Sequence, residues 1–245
     1  MTVKKAYVTT RYGRILYREM GQGSPLLLLH ATPRSSLAYL NVLPLLAVRH
    51  RVIAADTLGF GGSDPLPELV SIEKLAESMV DLVAELGAVP TAVFGLHTGN
   101  KIGTALAAGW PKYVSKFILC GMTHSIIINR SKREKAIKTI VETALNQECV
   151  SDREKQDRLR GRNSIDRIYD ANYSFDLATA LTQLSVPTLI LELATPAEDQ
   201  LGRQAQAAAD ITPNSIPMTL EKSDRDILDR DPRKLADSIL HFIDQ

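Results

Sequence analysis

The residue best placed to do chemistry is His97. In AVFGLHTGNKIG, residues 92–103, it stands between Gly95 and Gly99, after a short apolar run and ahead of a helix-like segment. Such a strand-to-helix corner needs a central residue at positive φ. It also needs glycines two before and two after it, so that the backbones can approach. Histidine is one of the few non-glycine residues enriched at positive φ. Its imidazole suits a nucleophile, or a base acting on water or on a substrate proton. Thr98 then opens the helix, where an amide with no helical partner favours developing negative charge.

Other candidates follow apolar runs of their own. His30 closes LLLLH, Asp56 closes VIAAD, and His124 follows FILCGMT. His124 suits a place facing a cleft, although a lone histidine serves equally as a satisfied hydrogen-bonding residue. His30, His97, His124 and Asp56 together have the donor types of a zinc site. They come from four separate loops with no short-spacing motif, so neither a metal nor another cofactor is expected. Cys120 and Cys149 are the only cysteines and lack a CxxC neighbour. Both read as reduced thiols, with Cys120 in the core. No long apolar stretch follows the first lysines, so we expect no signal peptide and a cytoplasmic protein.

The elements that must carry these residues alternate between strand-like and helix-like, the pattern of a parallel α/β sheet. Residues 6–10 and 15–19 flank Tyr12 and Gly13 and predict an antiparallel hairpin. Residues 25–29 hold four consecutive leucines and predict a strand buried on both faces. Further strands are expected at 51–55, 91–94, 114–119, 187–193 and 216–220. Helices are expected at 35–48, 71–86, 99–109, around 201–209, and at 232–243. Ser71 would cap the second of these and Gly87 would end it. Residues 125–184 contain no clear strand and carry the charge runs NRSKREKAIKTIVE and SDREKQDRLRGR, read as solvated faces of two or more helices.

Composition agrees with one large domain. The chain has 245 residues, 44% of them apolar and 23% charged, which supports a sizeable core and argues against disorder. A formal net charge of +1 gives no reason to expect nucleic acid or an anionic membrane as partner. No run approaches membrane-spanning length. A small-molecule substrate or ligand is the expected partner, and the oligomeric state is left open.

Three motifs carry a family resemblance. LLLLHATP resembles an H-G-x-P loop, DTLGFGGSD resembles a D-x-x-G-x-G-x-S-D loop, and GLHTG occupies the place of the G-x-S-x-G nucleophile elbow. In this order, each after its own strand, they make the chain resemble the α/β-hydrolase superfamily over nearly its whole length. The resemblance implies an α/β-hydrolase fold, a mostly parallel sheet flanked by helices. Residues 1–124 and 185–245 would form the core domain and residues 125–184 an inserted helical lid. It further implies an oxyanion hole made by the amides of Thr32 and Thr98. His30 would tie the oxyanion loop, and Asp56 would brace loops.

The chain departs from the family pattern at three places. His97 replaces the serine. The usual acid position falls near Pro196, with Glu192, Glu198 and Asp199 close in sequence. The usual base position falls on Arg225, whose guanidinium does not accept a proton at neutral pH. His241 lies inside the last helix and is poorly placed to substitute. A Ser-His-Asp mechanism is therefore not expected. Arg225 suits a substrate carboxylate, or a pairing with Asp226 or Glu192.

Two accounts of function remain open at this point. One is an enzyme acting on a small carbonyl compound, an ester, lactone or ketone, at a non-standard site centred on His97. The other is a hydrolase-like protein without turnover that binds a small ligand or a partner.

Overall fold

Leu26, Leu27, Leu28 and Leu29 are all fully buried, and they divide alternately between two apolar cores. A strand with no solvent face belongs at the centre of a sheet covered on both sides. The computed structural model describes residues 2–122, 125–146, 148–149, 151–221 and 226–245, which leaves His124 and Arg225 outside the described residues.

The chain opens with β1 (Lys4–Thr10), β2 (Gly13–Met20) and β3 (Ser24–Leu29). A short α1 (Leu43–Leu46) leads to β4 (His50–Ala55), α2 (Ile72–Glu85), β5 (Thr91–Leu96), α3 (Thr98–Gly109) and β6 (Val114–Cys120). Four helices then intervene: α4 (Arg130–Asn146), α5 (Asp152–Gly161), α6 (Ile165–Ser174) and α7 (Leu177–Thr182). The sheet resumes with β7 (Thr188–Leu193), α8 (Pro196–Leu201), α9 (Ala205–Ile211) and β8 (Ser215–Leu220). Two helices, α10 (Ile227–Arg230) and α11 (Pro232–Ile243), end the chain.

The eight strands form one sheet in the order β1-β2-β4-β3-β5-β6-β7-β8. β1 and β2 pair antiparallel, β2 joins β4 antiparallel, and every later pairing is parallel. One face packs against α2 and α3 through residues such as Leu75, Met79 and Ile102. The other packs against α1 and α11 through Leu43, Leu46, Leu235 and Ile239.

Two expected helices are broken. Residues 35–48 form a 3-10 turn, Ser36–Tyr39, and then the short α1. Pro44 has no N–H to offer the carbonyl of Leu40, and its ring crowds that carbonyl, so one continuous helix cannot form. The helix expected around 201–209 divides into α8 and α9 at Gly202, which takes φ 93°. The helix at 71–86 forms as read. Ser71 accepts a hydrogen bond from the Lys74 amide at 3.3 Å, and Gly87 takes φ 58° just beyond the end.

The order β3-β5 in the sheet brings the start of α3 against the end of β3. A Cβ built on Gly99 would lie 2.1 Å from the Leu29 carbonyl oxygen, and one built on Gly95 would lie 2.3 Å from that of Gly99. Neither neighbour is a movable side-chain tip. We expect Gly99→Ala to cost several kcal/mol, at the upper end of overpacking effects of about 1–3 kcal/mol. Gly109→Ala, at a position with nothing within 4 Å of the added carbon, should stay within about 1 kcal/mol of the native chain. Urea unfolding of the two variants makes the comparison.

Candidate active site

His97 sits where β5 turns into α3, with φ 49° and ψ −105°. That conformation is sparsely populated for a side-chain-bearing residue and costs about 1–3 kcal/mol. Neighbouring groups hold it in place. The His97 amide donates to the Cys120 carbonyl at 3.0 Å, and the His97 carbonyl accepts from the Asn100 amide at 3.0 Å. The Asn100 side-chain amide donates to the carbonyls of Cys120 and Gly121, at 3.1 and 2.7 Å. The imidazole lies over Gly121, where an added Cβ would come 2.6 Å from its Cε1. Gly121, at φ 77°, thus clears the space the ring occupies.

His97, Thr98 and Thr32 line one small cavity of about 40 Å³, together with Lys101, Tyr169, Asn172 and Tyr173. Three of the sequence candidates therefore meet there. The last three residues come from α6, where spacings of three and four put them on one helix face. Asn172 is buried and donates through Nδ2 to Thr98 Oγ1 at 3.1 Å. Its backbone carbonyl accepts from Lys101 Nζ at 3.3 Å. Its own Oδ1 has no hydrogen-bond partner among the described residues.

Lys101 was not singled out from sequence. It is 4% exposed, on α3 one turn beyond His97. The signal available was its spacing of four from the corner residue, within a helix otherwise made mostly of small and apolar residues. Burial lowers the Lys101 pKa to about 8. Burial, with the charge of Lys101 added, lowers His97 to about 4. At neutral pH His97 is therefore a neutral imidazole, able to accept a proton or to attack. Burial raises the phenol pKa of both Tyr169 and Tyr173, so each remains a proton donor. It also raises the Cys120 thiol, at the end of β6, which keeps that thiol protonated.

The other polar candidates are engaged in structural roles. His30 Nε2 accepts from the Thr57 amide at 3.0 Å, which puts the proton on Nδ1, 3.0 Å from the Ala31 carbonyl. It thus joins the loop after β3 to the loop after β4. Asp56 accepts from the amides of Ser36 at 2.7 Å and Gly62 at 2.8 Å. Buried Asp157, on α5, accepts from the Ser35 amide at 3.2 Å and faces Arg34 at 3.6 Å, tying the inserted helices to the loop that carries Thr32. Of the acids near the expected position, Glu192 accepts from the Gln204 amide at 2.6 Å. Glu198 pairs with Arg133 at 3.4 Å and Asp199 with Arg203 at 3.0 Å. None of the three lines the His97 cavity.

A sequence model described as "alpha/beta hydrolase fold" matches residues 24–140, which span β3 to α4. The chain is 31% identical over 114 residues to the soluble epoxide hydrolase of Corynebacterium sp. (strain C12), covering 46% of this chain and 40% of that protein. It is 38% identical over 99 residues to bifunctional epoxide hydrolase 2 of Rattus norvegicus, covering 39% and 18%. The matches thus span less than half the length of these curated relatives. The solved structure of the epoxide hydrolase CorEH without ligand superposes over 99% of both chains, with TM-score 0.77 and 20% identity, a likeness that shows the fold. The chain has the α/β-hydrolase fold, with histidine at the elbow position. Among the described residues, no helix is long and apolar enough to cross a membrane.

The pKa of His97 can be followed by NMR of its ring protons. We expect a midpoint near 4 in the native chain, and a higher one in Lys101→Met, because a depressing charge is removed. Burial still acts, so the midpoint should stay below the ordinary 6.5. Because the folded pKa is the lower one, the linked stability is complete above 6.5 and declines as pH falls toward 4. A midpoint unmoved by Lys101→Met would show that the ammonium does not act on the ring.

Proposed function

We propose that the protein is an enzyme acting on a small carbonyl compound, an ester, lactone or ketone, at a site centred on His97. The observation that carries this reading is the shared cavity of His97, Thr32 and Thr98 at the carboxyl ends of the parallel strands. That edge is where open α/β sheets bind their ligands. The neutral imidazole attacks the carbonyl carbon, or takes a proton from water that attacks it. The amides of Thr98 and Thr32 serve as the oxyanion hole for the charge that develops on oxygen. The helices between β6 and β7 act as a lid, with α6 covering the cavity and excluding water. A cavity of about 40 Å³ has room for about three waters, which favours short acyl groups.

A second reading, opening of an epoxide ring, is favoured by the two phenols of Tyr169 and Tyr173 on the same cavity. Ring opening needs a proton donor at the epoxide oxygen, and a phenol held in its protonated form is one. The relatives from Corynebacterium and rat carry that activity in their names.

The test is a turnover screen over short-chain esters, thioesters, lactones and small epoxides, with native protein, His97→Ala and His97→Ser at matched purity. We expect native turnover on one class and a loss of about 10²-fold or more in His97→Ala, the usual contribution of a positioned base. Turnover unchanged in His97→Ala removes His97 from the chemistry. No turnover in any of the three folded proteins, with saturable ligand-induced thermal shifts, supports the account of a ligand-binding protein without turnover.

A further inference from the structure

We infer that Asn172 is a specificity-determining residue, selecting carbonyl substrates that bear a hydroxyl on the carbon beside the carbonyl. The inference rests on the reading of the cavity as a carbonyl site, and it adds what the acyl group must present. Asn172 lies on α6 and lines the cavity with Thr32, His97 and Thr98. It is 4% exposed. Its Nδ2 donates to Thr98 Oγ1 at 3.1 Å, a bond that holds the side chain against the start of α3. The other end of the same carboxamide, Oδ1, is buried and meets no donor among the described residues. A buried amide oxygen left unpaired carries its full desolvation cost, and the large majority of such groups in folded proteins have a partner. A donor brought in by the substrate removes that cost, which is how a polar wall becomes selective.

The position of the donor on the substrate follows from the neighbours. In the carbonyl reading the substrate oxygen lies at the amides of Thr32 and Thr98, and Asn172 is bonded to the side chain of that same Thr98. The acceptor therefore stands close to the carbonyl. A cavity of about 40 Å³ limits the acyl group to about two or three carbon atoms. In so short a group the carbon beside the carbonyl is where a donor must sit. A hydroxyl is the smallest group that donates, and it takes about the space of a methyl, so it adds no bulk to a cavity with little to spare.

The experiment compares methyl glycolate with methyl propionate, which differ by a hydroxyl in place of a methyl. Native protein should favour the glycolate by about tenfold or more in kcat/KM, the scale on which a buried acceptor left unpaired is felt. Asn172→Leu keeps the size and removes the acceptor, and should bring the ratio close to unity. The ratio is the readout because a merely structural role for Asn172 lowers both rates together. Asn172→Ala serves if the leucine variant melts early. Binding is measured separately by calorimetry with glycolamide and propionamide, which need no turnover, and glycolamide should bind more tightly by a similar factor. Equal values for the two esters in native protein, or a preference kept in both variants, overturn the proposal and leave the carbonyl-enzyme reading standing. If neither ester is turned over while glycolamide is preferred and the preference is lost in Asn172→Leu, ester turnover falls and selection by Asn172 stands. If no ester is turned over and neither amide binds, both fall.

Discussion

The site depends on one close approach, that of the first turn of α3 to the end of β3. The backbone at Gly99 passes so near the Leu29 carbonyl that a single added carbon would overlap it. This contact fixes the direction in which α3 leaves the sheet. It also forces the chain at His97 into a turn that few side-chain-bearing residues adopt. The strain is held by Asn100, whose amide bonds the two carbonyls at the end of β6. His97 therefore presents its ring over Gly121 and into the cavity because three neighbouring strands, β3, β5 and β6, all bear on one corner. A looser corner would leave the imidazole free to swing, and the cavity would lose its defining wall.

Once α3 is fixed, its spacing decides the electrostatics. Lys101 follows His97 by one turn and shares its cavity. Both groups lose water, and loss of water disfavours the charged form of each. Burial and then the charge of Lys101 lower the imidazole, which remains neutral at neutral pH. The result is a pair lowered together, to about 4 for the ring and about 8 for the amine, with the gap between them kept. A separated pair is how one site holds an acceptor and a cation together at neutral pH. A serine at the corner would give no such pair, because a hydroxyl does not compete with the ammonium for charge.

The scaffold was readable because its signals are local. Four consecutive leucines can only be a strand covered on both faces, and Ser71 with Gly87 brackets a helix. Glycines at a spacing of four around His97 read as a corner because backbone approach demands them. The breaks at Pro44 and Gly202 were missed because amphipathic spacing runs on through both while the backbone does not. Lys101 was missed for a different reason: lysine as a type belongs to surfaces, and its burial arises only when α6 closes over α3. Tyr169, Asn172 and Tyr173 lie in a charge-rich segment where the apolar pattern is weak. Their common helix face acquires meaning only against Thr98. His124 and Arg225, both read from sequence as candidates, lie outside the described residues.

Among the described residues no carboxylate lines the His97 cavity, and this bears on how His97 can work. In a triad the carboxylate behind the histidine supports its positive form and raises its basicity. Here Glu192, Glu198 and Asp199 are each engaged elsewhere, and one neighbour that acts on the ring, Lys101, is a cation. A ring with a pKa near 4 is a weak base toward water at neutral pH, so full proton transfer to it is costly. Two conditions reduce that cost: an oxyanion stabilised as it forms, and a donor that protonates the leaving group without passing through the ring. The amides of Thr32 and Thr98 suit the first, and the protonated phenols of Tyr169 and Tyr173 suit the second. A histidine in this corner therefore fits reactions in which the attacking atom keeps little positive charge in the transition state. Substrates with good leaving groups or strained rings meet that condition better than stable amides do.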